Sequence, residues 1–187
     1  ARYEKEKLSM NVVGLLPGKH PALSDEYIVL GAHLDHVGAQ AGEVFFPGAN
    51  DNASGVASLM EIAEALANGK RPDRSILFVA FTAEESGLIG SQYFVDHCPV
   101  APDKIKLMIN MDCVAHGDSI VIGGGKSFPQ IYQKARKEDQ QMKRMVMDRT
   151  WRGGGADATA FYKQNIPTLY FATSNSYTHL HLPSDKP

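Results

Sequence analysis

The sequence predicts an α/β protein: a three-layer α/β/α sandwich around a central mixed, largely parallel sheet. Two observations carry this. Short β-rich runs alternate with segments of helical periodicity along the whole chain. Ser75–Phe81 (SILFVAF) is a continuous apolar run, as in a strand covered on both faces. No internal repeat, low-complexity tract or Pro/Ser linker divides the 187 residues, so residues 1–187 are read as one domain.

The elements follow in order. Met10–Leu16 and Tyr27–Ala32 read as strands, with Pro17-Gly18 as turn punctuation between them. Ser54–Asn68 places Val56, Leu59, Met60, Ala63 and Leu66 at helical spacing, and Gly69 supplies a stop. After the strand Ser75–Phe81 comes a short helix, Ser91–His97. Strands at Ile105–Met111 and Ser119–Ile122 follow, then helices at Phe128–Gln140 and Ala156–Gln164. Ile166–Ala172 is a final buried strand. The chain stops at Pro187 without a closing helix, so trimmed ends are expected.

Composition sets limits on function. Hydrophobic residues make up 43% and charged residues 21%, an ordinary globular balance. A net charge of −2 gives no surface for nucleic acid or an anionic membrane. No apolar run approaches the roughly 20 residues that span a bilayer. Cys98 and Cys113 lie outside any CxxC motif and are read as two separate buried thiols.

In open α/β sheets, ligands bind beyond the carboxyl ends of the strands. The residues following each predicted strand are therefore the ones to inspect. His33-Leu34-Asp35-His36 follows the second strand, Ala83-Glu84-Glu85 the third, and Asp112 the fourth. His179-Leu180-His181 follows the last strand after a short loop. Between the first two blocks lies Gly48-Ala49-Asn50-Asp51-Asn52-Ala53-Ser54-Gly55, a loop that opens a helix. Acids and histidines thus gather at one edge of one sheet. Histidine and carboxylate ligands suit zinc, with a position left open for water. Two metals about 3.5–4 Å apart need a bridging carboxylate, and Asp51, on a tight glycine-flanked loop, is the natural bridge. Glu84 and Glu85 point different ways from a strand end, so one can ligate metal while the other addresses the water.

The segments AHLDH, PGANDNASGVASLMEIA, FTAEESGLIGSQYF, INMD and HLPSD, in that order, resemble the metal-binding blocks of the M28 family of metallopeptidases. The resemblance runs from Asn11 to Asp185, and GANDNASG and AEESGLIGS are its most specific parts. It implies a co-catalytic aminopeptidase with two zinc ions per chain, acting on peptides with a free N-terminus. By the same resemblance, His33, Asp51 and Asp112 would hold one zinc, and Asp51, Glu85 and His181 the other. Glu84 would be the general base, and the Asp35 carboxylate would orient the His33 imidazole. His181 fits the family's histidine–x–proline–x–aspartate pattern through Pro183 and Asp185, whereas His179 does not; Leu182 stands where the family usually has Thr or Ser. A cis peptide is expected at Asp51-Asn52. The resemblance also favours an extracytoplasmic location, with no inserted protease-associated domain in this sequence.

Other features have plainer readings. His20, His97 and His116 are taken as structural, and His36 as a neighbour packed near the site. Gly123–Ser127 (GGGKS) lacks the glycine a phosphate loop needs at position 120, which is Ile120. Asn52-Ala53-Ser54 is formally a glycosylation sequon, but a glycan there would block the site. Asp157 has a possible role in shaping the site. Trp151, Phe161, Tyr170 and Tyr177 are candidates for either a specificity pocket or the core. The rival functions are a glutaminyl cyclase with one zinc, an M28-type carboxypeptidase using Arg149 or Arg152, and a non-enzymatic binding domain on the same fold.

Overall fold

The structure is a computed structural model that describes residues 8–40 and 44–174. Among the described residues, eight strands and four α-helices follow in this order: β1 (Val12–Leu16), β2 (Tyr27–His33), β3 (Gly38–Gln40), β4 (Val44–Phe46), α1 (Ser54–Asn68), β5 (Ser75–Phe81), α2 (Ile89–Asp96), β6 (Ile105–Met111), β7 (Ile120–Gly123), α3 (Pro129–Gln141), α4 (Ala158–Lys163) and β8 (Thr168–Thr173). Six strands form one sheet in the order β1-β5-β2-β6-β8-β7. The inner strands β5, β2, β6 and β8 run parallel, and β1 and β7 close the edges antiparallel. The expected mixed, largely parallel sheet is what forms. The hairpin β3–β4 was not expected: its three-residue strands are too short to show a period.

Strand alternation sorts the apolar runs onto two faces. On β5, Leu77, Val79 and Phe81 join Phe94 and Val95 of α2 and Phe161 of α4 in one core. Ile76, Phe78 and Ala80 point the other way, to Leu59, Ile62 and Leu66 of α1. A third cluster packs Tyr132, Ile131 and Ala135 of α3 on Ile122 and Leu169. Burial on both faces explains why SILFVAF shows no polar alternation. The outermost strand differs: Val12, Val13 and Leu15 of β1 are exposed.

The connection from β2 runs through α1 to β5 on one side, and β6 lies on the other side of β2. The chain leaving β6 continues toward β7 and β8. Neighbouring parallel strands whose connections part in this way leave a crevice at their carboxyl ends. His33 is the last residue of β2 and Asp112 follows β6, so both stand at that crevice.

Candidate metal centre

The loop that delivers Asp51 is a clamp. Asn50, Asp51 and Asn52 are all buried, and the peptide bond Asp51-Asn52 is cis. Asn52 Nδ2 donates to the carbonyl of Met111 at 3.0 Å, and its Oδ1 accepts from the N–H of Gly55 (2.9 Å) and Cys113 (3.3 Å). Asn50 Oδ1 accepts from Ala115 N–H at 3.1 Å, and Ser54 Oγ accepts from Val114 N–H at 2.9 Å. These side chains tie the loop to the chain leaving β6 and hold Asp51 beside Asp112. Gly48 makes the turn possible: its φ is +72°, and a Cβ there would stand 2.8 Å from the Asp51 carbonyl and 2.9 Å from His36 Cβ. With its amide on Met111, Asn52 is sealed inside the protein, so the formal sequon is structural.

Among the described residues, two triads share Asp51. His33, Asp51 and Asp112 form the first, and His36, Asp51 and Glu85 the second. His33 Nδ1 lies 3.0 Å from the Asp35 carbonyl, which accepts its proton and leaves Nε2 to face the site. Nε2 stands 3.2 Å from Asp51 Oδ1 and 3.5 Å from Asp112 Oδ1. Ligand atoms on a tetrahedral zinc, at bond lengths of about 2.0–2.2 Å, stand about 3.3–3.6 Å apart. The first triad therefore fits zinc by donor type and by spacing. Asp112 Oδ1 is buried and accepts no hydrogen bond among the described residues, the condition of an oxygen built to meet a cation. Burial pulls the His33 pKa down, but the carboxylates of Asp112 and Asp51 outweigh it and push it up to about 11.

In the second triad, His36 Nδ1 lies 2.6 Å from Glu85 Oε1 and 3.9 Å from Asp51 Oδ1. The sequence placed His36 merely nearby; its spacing of three from His33, on the turn after β2, is the signal that it shares the site. The contact between His36 and Glu85 is shorter than a zinc ligand edge. The second ion's expected nitrogen ligand, His181, lies outside the described residues, as do His179 and Tyr177.

Asp35 works differently from the expectation. The backbone carbonyl orients His33, while the carboxylate lies 3.8 Å from Nδ1. That carboxylate accepts instead from the N–H of Glu84 (3.1 Å) and Glu85 (3.2 Å). It thereby fixes the turn on which both glutamates stand. Burial raises the Glu84 pKa to about 7; nearby His33 opposes the shift, while Asp157, Asp112 and Glu85 add to it. Asp157, fully buried at the start of α4, is itself raised to about 6, mainly by burial. Its reach to Glu84 was invisible in the sequence, because it depends on how α4 packs against α2.

The remaining candidates fall into place. Phe161 is core. Trp151 and Tyr170 line an open cavity of about 560 Å³ together with Asp118, Val121, Arg149 and Ala172. His97 stacks on Tyr93, and His20 accepts from the N–H of Ala22. Gly123–Ser127 leads from the end of β7 through a turn into α3. No disulfide joins Cys98 and Cys113. No helix among the described residues is long and apolar enough to cross a membrane.

These features define an α/β protein with a histidine–carboxylate centre for divalent metal at the carboxyl edge of its sheet. The chain belongs to peptidase family M28, whose family model matches residues 11–187. It is 32% identical over 151 residues to leucine aminopeptidase 2 of Trichophyton equinum, covering 75% of this chain and 29% of that protein. It is 40% identical over 92 residues to aminopeptidase YwaD of Bacillus subtilis, covering 48% and 18%. Among solved structures it is similar to BSAP, a zinc aminopeptidase from Bacillus subtilis, with a TM-score of 0.70 and 26% identity over 92% of this chain and 42% of that one. A glutaminyl cyclase of Porphyromonas gingivalis shares the fold, with a TM-score of 0.73 at 22% identity over 91% and 66%. The chain spans less than a third of the length of the curated relatives it matches.

Proposed function

We propose that this chain is the catalytic domain of a zinc-dependent aminopeptidase that uses two zinc ions to hydrolyse the N-terminal peptide bond of peptides. The observation that carries this is Asp51, whose single carboxylate belongs to both triads. Membership of family M28 and likeness to relatives named aminopeptidases support it. His33, Asp51 and Asp112 would hold one ion, and Asp51, Glu85 and His181 the other. Bound there, zinc supplies a Lewis acid for the scissile carbonyl and lowers the pKa of a water toward about 7.

The chain's own residues do the rest. Glu84 takes a proton from the attacking water and returns one to the leaving amine. A carboxyl held near neutrality by burial suits both transfers. Asp35 keeps Glu84 in place through its main-chain N–H. The cavity beside Tyr170 offers room for a substrate side chain. Asp118 lines it with Arg149, so the arginine's pull on a carboxylate is offset, which favours an aminopeptidase over a carboxypeptidase.

Glu84→Gln keeps the shape and removes the base. Turnover of an aminoacyl substrate should fall about 10²–10⁴-fold, while elemental analysis still finds two zinc ions. Normal turnover would remove Glu84 as the base. One zinc in the parent protein, with cyclisation of N-terminal glutamine, would decide for the cyclase. Cleavage of peptides blocked at the N-terminus, with none of peptides blocked at the C-terminus, would decide for a carboxypeptidase.

A further inference from the structure

Tyr170 stands between the metal centre and the cavity. Its hydroxyl donates to Asp112 Oδ2 at 3.3 Å, on the far side of that carboxylate from Oδ1, the oxygen that faces His33. Its ring is held by two neighbours. Trp151 lies 6.0 Å away at 55°, and the indole N–H of Trp151 is itself pinned to the Gly154 carbonyl at 3.0 Å. Gly155 lies close against the ring: a Cβ there would come within 2.8 Å of Tyr170 Cγ. Gly155 therefore leaves the room that this ring occupies. The same ring forms part of the wall of the cavity that Arg149, Val121 and Ala172 line.

We infer that Tyr170 is a positioning residue for the first metal: it holds Asp112 Oδ2 and so leaves Oδ1, beside His33, as the oxygen that would meet the metal, while its ring walls the adjoining cavity. The inference rests on the metal reading of the first triad and does not need a second ion. A carboxylate free to rotate would sample two-oxygen ligation and lose its aim. An outer hydrogen bond of this kind is worth about 10–100-fold in metal affinity. The residue thereby joins two properties, ligand geometry through the hydroxyl and cavity shape through the ring. Single substitutions separate them.

The test is Tyr170→Phe, which removes the hydroxyl and keeps the ring, alongside Tyr170→Leu, which removes both. Each purified full chain is stripped with chelator and titrated with Co²⁺, read by its visible absorption, and then assayed with zinc on a series of aminoacyl substrates. Tyr170→Phe should weaken the first, tighter cobalt event about tenfold and lower kcat, with KM unchanged across the series. Tyr170→Leu should add a KM change that depends on side-chain size. Unaltered first-event affinity in Tyr170→Phe would overturn the inference. So would equal weakening of every cobalt event, which would mark a packing defect. A parent protein that takes up a single ion would sink the two-zinc function instead and leave this comparison readable.

Discussion

In the half of the metal centre formed by His33, Asp51 and Asp112, all three residues are buried, and His33 is aimed by a main-chain carbonyl. Asp51 rides on a loop clamped to the exit of β6. In the half formed by His36, Asp51 and Glu85, the acid stands exposed on a turn. Its side chain meets His36 at 2.6 Å, too close for two ligands of one tetrahedral ion. On the two-zinc reading proposed above, the difference teaches that one site would be prepared and the other would have to rearrange. Preparation lowers the cost of binding, so the two ions should bind with unequal affinity, the first site filling before the second.

The strongest way to break this comparison is to remove what the halves share. Asp51→Ala should cut zinc content to one ion or none and lower kcat/KM by about 10²-fold or more, as loss of a transition-state contact does. Zinc content equal to the parent's would mean that Asp51 bridges nothing.

A pH series probes the prepared half through its base. As the proposed base, Glu84 would have to be ionised to accept a proton, and burial raises its pKa to about 7. Activity should therefore fall about tenfold per pH unit below that pKa. Bound zinc, being positive, opposes the burial shift, so the acidic limb of kcat/KM should lie at or below 7. Asp157→Asn removes a negative neighbour that adds to the shift and should move the limb lower still. A limb above 7, or one moved upward by Asp157→Asn, would contradict this placement of charge.

The smallest effect sharpens the contrast. His36→Ala removes the partner of Glu85. It should weaken uptake of the second ion about tenfold, as loss of a ligand's outer contact does, and leave the first unchanged in a stepwise metal titration. If the first ion weakened instead, the two halves would not be separate.

How much of this was legible in the sequence depends on the length of each signal. The inner strands show because they are buried on both faces: Ser75–Phe81 and Ile105–Met111 need no context. The hairpin β3–β4 carries too few residues for a pattern. His33, Asp51, Glu84, Glu85 and Asp112 stand out because acids and histidines beside apolar strands need a reason to be there. Asn50, Asn52 and Ser54 were visible only as the setting of Asp51, since their partners on 111–115 are distant in sequence. Tyr170 and Asp157 were ambiguous for the same reason. Each is an ordinary residue of a strand or helix until the packing of α4 and β8 brings it to the site.

The contacts that seat Asp51 join residues 59, 60 and 65 positions apart. No short stretch of the polypeptide holds more than a fragment of the centre. Closing loops of that length is an entropic cost that other contacts must meet before the centre exists. Zinc therefore arrives as a late fastener on a chain already collapsed rather than as a seed for folding. A polypeptide still emerging from the ribosome, with β6 not yet made, lacks both Asp112 and the main-chain groups that seat Asp51.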